Sequence, residues 1–191
     1  MATSIRFTSA DLAVMPQDGK RYEVVDGDLL VSTQPHAYHQ AVSFDLGFLL
    51  QTWSLPTGLG RVLPTPGIVF SEDNDVVPDL VWLSNQRLAD SLDDTGHLRL
   101  APELVVEVVS PGLANERRDR ETKRKLYSRR GVDEYWIADW RARSISVFRR
   151  QGDALEPVSV LTGLDVLASP VLPGFAVAVE QIFAGIPQSF R

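Results

Sequence analysis

The apolar residues between positions 36 and 53 recur at three- and four-residue spacing, which predicts a helix with one buried face. The stripe consists of Val42, Leu46, Leu49, Leu50 and Trp53, and His39 continues its spacing. Pro56 and Gly58 follow this stretch and are expected to end the helix. Two more helices are predicted: a short one opened by a capping-box pattern at 8–11, and a longer one over about 115–130.

Short runs of β-branched and other apolar residues predict strands around these helices. The clearest is a hairpin, in which 21–25 and 29–32 flank Asp26-Gly27-Asp28. A strand-like stretch at 61–70 contains two prolines, so it is expected at a sheet edge or with a bulge. Further strands are predicted within 76–83, 104–109, 134–139, 144–148 and the last fifth of the chain, which should also hold a short helix near 179–183. This order predicts an α/β or α+β fold, in which helices pack on one central mixed sheet after an N-terminal β-hairpin.

Two carboxylates interrupt the apolar strands near the centre of the chain. Asp79 lies in the run 76–83, and Glu107 lies in the run 104–109. A buried carboxylate is costly unless it is paired, and two in neighbouring strands repel each other unless a cation lies between them. The simplest explanation of this pair is a bound divalent metal ion.

Composition limits the alternatives. The 191 residues carry a net charge of −6 and include no cysteine, which excludes disulfides and thiolate-bound zinc. One domain over 1–191 fits this length. No apolar run approaches the roughly 18 residues that a membrane span requires. Residues 1–7 lack the pattern of a secretory signal, so a cytoplasmic protein is expected.

Basic residues are concentrated in one segment of an otherwise acidic chain. Residues 116–130 hold eight basic and three acidic side chains. Such a block can steer a phosphate backbone to one face of a protein. The candidate contacts to DNA are Arg117, Arg118, Arg120 and Arg124. A solvent-exposed, arginine-rich helix explains the same charge pattern equally well.

Lysine is rare, and two of the three lysines lie in this basic segment. On a helix, Lys123 shares a face with Leu126 and Tyr127, so it is expected to point inward, beside the two carboxylates. Lys125 projects to the opposite side. An inward lysine beside carboxylates and a metal can stabilise the charge of a phosphoryl transition state. The alternative explanation of Lys123 is an ion pair with Asp119, one turn earlier.

Taken together, these segments resemble the Uma-type family of restriction endonucleases, within the PD-(D/E)XK nuclease superfamily. The resemblance covers nearly the whole chain. It rests on 21–27, the helix that carries His39, Pro78-Asp79, 101–111, Arg118-Asp119 with Lys123 and Tyr127, and 131–136. The superfamily's Glu-x-Lys triplet would place lysine at position 109, where this chain has Val109. The resembling family carries that lysine on the next helix, which corresponds to Lys123.

The resemblance implies a restriction-endonuclease-like fold and a metal-dependent site that hydrolyses phosphodiester bonds in DNA. Asp79 and Glu107 would bind Mg²⁺ or Mn²⁺, with the backbone carbonyl of Val108 as a third ligand. Lys123 would position the attacking water and stabilise the charge of the transition state.

Four further residues are secondary candidates at this site: Glu23, His39, Asp119 and Tyr127. Glu23 could add a carboxylate near the metal, or it could be a paired strand residue. His39 lies on the apolar face of its helix, where a histidine is often a hydrogen-bonded core residue. The resemblance favours a place for His39 beside the site, as a proton carrier or as a group that orients a ligand.

Two other functions stay open at this stage. One is a non-catalytic nucleic-acid-binding or interaction module that retains the nuclease fold, and the other is a metal-dependent phosphoesterase of small substrates. A homodimer would suit double-strand cleavage, although no residue pattern demonstrates one. Neither a membrane partner nor an organic cofactor is expected.

Overall fold

The computed structural model describes residues 5–112 and 116–187, which form both helices and strands. In chain order they are α1 (Ser9–Leu12), β1 (Arg21–Val25), β2 (Asp28–Ser32), α2 (Ala37–Thr57), β3 (Gly60–Pro64), β4 (Ile68–Ser71), β5 (Asn74–Val76), β6 (Leu80–Ser84), α3 (Asn85–Ser91), β7 (Leu104–Val108), α4 (a π-helical segment, Arg118–Lys123, followed by α-helical turns, Arg124–Arg130), β8 (Glu134–Asp139), β9 (Ser144–Gln151), β10 (Ala154–Thr162), β11 (Val166–Ser169), β12 (Leu172–Ala178) and α5 (Val179–Ile182). The predicted start of α4 at Asn115 lies outside the described residues.

A mixed six-stranded sheet forms the centre, with the strand order β10-β9-β8-β7-β6-β3. The pair β7 and β8 is parallel, and the other pairs are antiparallel. Parallel neighbours need a long connection, which α4 provides between β7 and β8. The predicted central mixed sheet and N-terminal hairpin are confirmed. The hairpin, however, belongs to a separate four-stranded sheet of order β2-β1-β5-β4, and β11 pairs with β12 in a third sheet.

Alternate residues of the central strands point to opposite faces of the sheet. Both faces are covered by other elements. One face packs against α2 and the C-terminal elements through Leu80, Val106, Trp136, Leu46, Leu50, Phe175 and Ile182. The other face packs against α4 and the four-stranded sheet through Val81, Val105, Ile137, Leu126, Tyr127, Ile68 and Val76. The last strand residues of β7 therefore lie between two packed layers.

The helix α2 is longer than its sequence predicts. Its buried stripe is the expected one, with His39, Val42, Leu46 and Leu50 in the core. The helix continues through Pro56 to Thr57, because a proline in the last turn removes only one backbone hydrogen bond. Gly58 then ends the helix in the left-handed conformation, with φ of 65°. No helix within the described ranges combines the length and the apolarity needed to cross a membrane.

The stretch 61–70 forms two strands rather than one interrupted strand. Its first part, β3, lies at the edge of the central sheet, as the prolines predict. Thr65 then adopts a positive φ of 46°, which redirects the chain. Its second part, β4, becomes an edge of the four-stranded sheet. The chain therefore changes sheets at Thr65, between Pro64 and Pro66.

Candidate active site

The structure brings Asp79, Glu107 and Lys123 together at the end of β7. The Nζ of Lys123 lies 2.9 Å from Oε1 of Glu107 and 2.8 Å from Oε1 of Glu23. The Oδ2 of Asp79 accepts a hydrogen bond from the backbone N–H of Val108 at 2.8 Å. These four residues are at most 4% exposed, yet they line a cavity of about 180 Å³. Acidic and basic groups that are widely separated in sequence thus share one small buried space.

Asp79 precedes its strand, contrary to the prediction that it lies within one. The strand β6 begins at Leu80, which pairs with Val106 of β7. Asp79 continues this register in a bend, and its carboxylate takes the place of a backbone carbonyl as acceptor for the N–H of Val108. Since the side chain replaces a main-chain partner here, Asp79 is both buried and fixed in orientation.

Two more groups hold the Asp79 carboxylate. The Nε2 of His39 lies 3.1 Å from its Oδ2, and Nη1 of Arg21 lies 3.4 Å from its Oδ1. Burial raises the pKa of Asp79, but the hydrogen bonds from His39 and from the N–H of Val108 outweigh it and bring the pKa below its ordinary value. Asp79 therefore stays ionised although it is buried.

Glu107 occupies the opposite electrostatic situation. Its Oε1 accepts hydrogen bonds from Lys123 and from the hydroxyl of Tyr127, each at 2.9 Å. Burial raises the pKa of Glu107 to about 8; the charge of Lys123 opposes this, while nearby carboxylates, including Asp79, reinforce it. Burial is thus the main reason that the pKa of Glu107 is raised, whereas Asp79 stays ionised.

Acidic side chains outnumber cationic ones in this cluster. Its buried acids are Glu23, Asp79, Glu107 and Asp119. The cations among them are the buried Lys123 and the half-buried Arg118, and the partly exposed Arg21 lies at the rim. With all four carboxyl groups ionised, the two inner cations would leave an excess of negative charge, which a divalent cation would neutralise. Without such a cation, the raised pKa of Glu107 favours its protonated form and reduces that excess.

Lys123 lies at the end of a π-helical segment that packs beside this cluster. Within Arg118–Lys123, both Asp119 and Lys123 are buried, and the face continues through Leu126 and Tyr127. Single π-helical turns are often found at functional sites. The prediction that Lys123 points inward and Lys125 outward is confirmed, since Lys123 is 1% exposed and Lys125 is exposed.

Lys123 and Asp119 each pair with other residues, so an ion pair between them does not explain the buried lysine. Asp119 accepts a hydrogen bond from Nε of Arg118 at 2.9 Å. Lys123 pairs instead with the two glutamates, and their charges outweigh burial to hold its pKa above the ordinary value. Val109, at the position of the superfamily lysine, is buried in the apolar cluster beside α4.

The backbone of Val108 faces the same cluster. In an extended strand, the N–H and the C=O of one residue point to the same side. Because the N–H of Val108 donates to Asp79, its carbonyl is also directed towards the side on which Asp79 lies. The N–H of Val109 points the other way and donates to the carbonyl of Ala138 in β8.

Of the secondary candidates, Glu23 and His39 both reach the cluster. The Oε1 of Glu23 accepts the backbone N–H of Val77 at 2.8 Å while also pairing with Lys123. It is therefore a paired strand residue and a neighbour of the site at once. His39 uses Nε2 for Asp79, whereas its buried Nδ1 has no hydrogen-bond partner among the described residues.

Arg21 was not among the predicted site residues, although strand alternation contains the signal. Residues two apart in a strand share a face, so Arg21 lies on the face of Glu23. Its Nη1 donates to the carbonyl of Val77 at 3.1 Å as well as approaching Asp79. Arg21 thus adds a cation at the rim of the cavity.

The four arginines predicted to contact DNA do not form one patch. Arg118 lines the cavity and donates to Oγ of Ser32 at 2.6 Å. The other three point elsewhere: Arg117 is exposed beside Glu121, Arg120 binds Asp139, and Arg124 lies 5.1 Å above the ring of Phe148. Among these four, Arg118 alone lines the cavity of the carboxylates.

The sheet, the crossover helix and this cluster define a protein with a restriction-endonuclease-like fold. The chain belongs to the Uma2 family, described as "Putative restriction endonuclease", whose family model matches residues 9–180. This membership confirms the resemblance drawn from the sequence. A search of curated proteins finds no match.

Solved structures support the fold assignment. The crystal structure of a "putative nuclease belonging to DUF820" from Anabaena variabilis is similar over 95% of this chain and 99% of its own, with 16% identity and a TM-score of 0.77. The type IIG restriction endonuclease BpuSI matches 78% of this chain and 15% of its own, with 16% identity. Its TM-score of 0.39 carries no argument about fold. The first similarity confirms the predicted restriction-endonuclease-like fold.

Proposed function

We propose that this chain is a metal-dependent endonuclease that hydrolyses phosphodiester bonds in DNA. The observation that carries the proposal is the convergence of Lys123 with Glu107, beside Asp79, in one cavity. A lysine and two acidic ligands at a strand end are the components that phosphodiester hydrolysis needs. Membership of a family described as restriction endonucleases supports DNA as the substrate.

Asp79 and Glu107 would hold Mg²⁺ or Mn²⁺, together with the carbonyl of Val108. Carboxylate and carbonyl oxygens are the hard ligands that Mg²⁺ prefers, and the excess of negative charge suits a divalent ion. The described residues contain no group of three or more acidic or histidine side chains that could hold a metal. The proposed set of two carboxylates and one carbonyl agrees with Mg²⁺, which usually keeps several waters and takes one or two carboxylates. When bound, the ion polarises the phosphoryl group and lowers the pKa of a coordinated water.

The remaining residues fix these groups and supply positive charge. The N–H of Val108 and the imidazole of His39 orient Asp79, and the hydroxyl of Tyr127 orients Glu107. The ammonium of Lys123 positions the attacking water and stabilises the charge that develops on the phosphate oxygens. Arg21 and Arg118, at the cavity wall, face the incoming phosphate.

A plasmid-nicking assay tests the proposal. The wild type should nick supercoiled DNA with Mg²⁺ or Mn²⁺ and lose this activity in EDTA. Asp79→Asn keeps the shape of the side chain and should abolish nicking, whereas Asp153→Asn, at an exposed turn, should retain it. Wild-type protein that cleaves no form of DNA with either metal overturns the catalytic proposal.

One observation favours a second candidate, the non-catalytic nucleic-acid-binding module. Glu107 has donors from both Lys123 and Tyr127 without a metal ion, so the cluster is already partly satisfied. A binding-only protein would bind DNA, show no Mn²⁺ site that depends on Asp79, and leave plasmid intact. Hydrolysis of a small phosphodiester but not of plasmid would instead identify a phosphoesterase.

A further inference from the structure

A second cleft lies on the other side of Asp79, between α2 and the edge strand β3. It encloses about 620 Å³. Gln40 and Asp79 line both this cleft and the cavity that holds Glu107 and Lys123. A substrate held at the carboxylates therefore has direct access to the cleft.

Two phenylalanines form one wall of this cleft. Phe44 and Phe48 project from α2 and are 73% and 62% exposed. At a spacing of four residues, their Cβ atoms lie roughly 6 Å apart on one face of the helix. Two neighbouring exposed rings beside a catalytic cavity provide a surface on which a flat aromatic ligand can stack.

The floor and the polar groups of the cleft also suit a flat, uncharged ligand. Gly47 lies between Phe44 and Phe48 in sequence and also lines the cleft, and a Cβ there would approach Cδ2 of Leu80 to 3.2 Å. The absent side chain lets the helix lie close to Leu80 and keeps the floor apolar. Apart from Asp79, which the cleft shares with the cavity, its polar side chains are neutral: Gln40, Ser43, Gln51 and Thr65. The Oε1 of Gln51 is buried and has no hydrogen-bond partner among the described residues.

The two spaces divide the chemistry of a nucleotide between them. The cavity contains Arg21, Arg118 and Lys123, which suit an anionic phosphate. No lysine or arginine lines the cleft among the described residues, so an anion finds no partner there. Aromatic rings with amide and hydroxyl groups are the combination that recognises an unstacked base.

We propose that this cleft binds a nucleobase that is unstacked from its neighbours and flanks the scissile phosphate. The inference rests on the proposed function, since it assigns the base of the same substrate. It specifies the substrate class as nucleic acid with unpaired bases, such as a single strand, a flap or a bubble. Phe44 and Phe48 are then binding residues, with no part in the metal site.

The test compares two strands that share a phosphate backbone and differ in their bases. Fluorescence anisotropy in EDTA measures the binding of a labelled thymidine oligonucleotide and of an abasic oligonucleotide of equal length. The wild type should bind the thymidine strand more tightly. The double variant Phe44→Ala/Phe48→Ala should weaken that binding by roughly 5- to 100-fold, the range for stacked bases, and leave the abasic strand unaffected.

Leu55→Ala is the matched control, because Leu55 is an exposed apolar residue of the same helix outside the cleft. It should change neither affinity. Alanine favours helix at each of these positions, and circular dichroism verifies that α2 is retained. Equal effects on both strands, or wild-type affinity for thymidine in the double variant, would overturn the inference.

Two further outcomes separate this inference from its rivals. If sedimentation shows that the double variant dissociates a dimer while thymidine binding is unchanged, the rings form an interface between copies and the base cleft is wrong. The binding assay needs neither metal nor cleavage. If the wild type prefers the thymidine strand but nicks no plasmid, the base cleft is supported and the proposed nuclease activity is overturned. If the wild type nicks plasmid but does not prefer the thymidine strand, the nuclease activity is supported and the base cleft is overturned.

Discussion

The ammonium of Lys123, on α4, lies 2.9 Å from the carboxylate of Glu107, on β7, although the two residues are 16 positions apart in sequence. The side chain of Val109, two places after Glu107 on the same strand face, is buried in the apolar core. Buried ion pairs often contribute little to stability compared with apolar residues of similar size. A functional requirement is therefore the better explanation for the charges retained here.

Replacing Lys123 by methionine should strongly lower the nicking rate while the metal still binds. The variant loses the positive charge that stabilises the transition state, and removal of one such group typically lowers rates by about 100- to 1,000-fold. The unpaired glutamates should also lower the free energy of unfolding by about 3–5 kcal/mol. Initial nicking rates and urea unfolding measure the two effects.

Lys125→Met controls for the loss of a lysine from the same helix. Lys125 is exposed, so both the nicking rate and the unfolding free energy should stay close to wild type. If the two variants nick DNA at equal rates, Lys123 has no catalytic role.

The pKa of Glu107 predicts how stability depends on pH in metal-free buffer. Burial, with the nearby carboxylates adding to it and Lys123 opposing it, raises this pKa to about 8 from an ordinary value of 4.5. Between those values the folded protein binds a proton that the unfolded chain has released. The free energy of unfolding should therefore fall as the pH rises, by at most about 1.4 kcal/mol per pH unit for one group.

Glu107→Gln removes this titration but keeps an oxygen that accepts from Lys123 and Tyr127. The stability of the variant relative to wild type should consequently increase from about pH 5 to pH 8. Urea unfolding at several pH values measures the difference. Parallel curves for the two proteins would show that the pKa of Glu107 is not raised.

Tyr127→Phe tests the hydrogen bond that orients Glu107. The buried hydroxyl donates to Oε1 at 2.9 Å, and its removal should lower the free energy of unfolding by about 1–3 kcal/mol. Tyr22→Phe removes an exposed hydroxyl that binds Asp18, and its effect should stay below about 0.5 kcal/mol. Equal, small effects would mean that the Tyr127 bond does not hold the carboxylate.

Arg118 and Arg124 should differ in their effect on DNA binding. Arg118 lines the cavity, whereas Arg124 lies above the ring of Phe148. Arg118→Gln should therefore weaken DNA binding and flatten its dependence on salt by about one phosphate contact, and Arg124→Gln should change neither. Anisotropy titrations at several salt concentrations measure the affinity and its dependence on salt. A larger effect of Arg124→Gln than of Arg118→Gln would place the DNA on the other side of α4.

Local periodicity was sufficient to predict much of the fold and the direction of Lys123. The hairpin around Asp26-Gly27 follows from positive φ values of 50° and 76° that Asp and Gly tolerate. The inward face of α4 follows from the spacing of Lys123, Leu126 and Tyr127. Both are local properties of the chain, which sequence patterns report directly.

Features that depend on distant segments were not predictable in the same way. The break in 61–70 arises because its halves pair with different sheets, and nothing in the stretch itself specifies those partners. Asp79 leaves its strand because its carboxylate accepts an N–H from β7. The dispersal of Arg117, Arg120 and Arg124 likewise depends on Glu121, Asp139 and Phe148, since charge density reports composition and not direction.

The central claim is that Asp79 and Glu107 form one divalent metal site. Isothermal titration calorimetry with Mn²⁺ tests it most directly, with the wild type, Asp79→Asn, Glu107→Gln and the exposed control Asp153→Asn. We predict a single saturable Mn²⁺ site in the wild type and in Asp153→Asn, and its loss in each of the other two variants. A wild type without such a site, or a site that persists in both Asp79→Asn and Glu107→Gln, would contradict the claim.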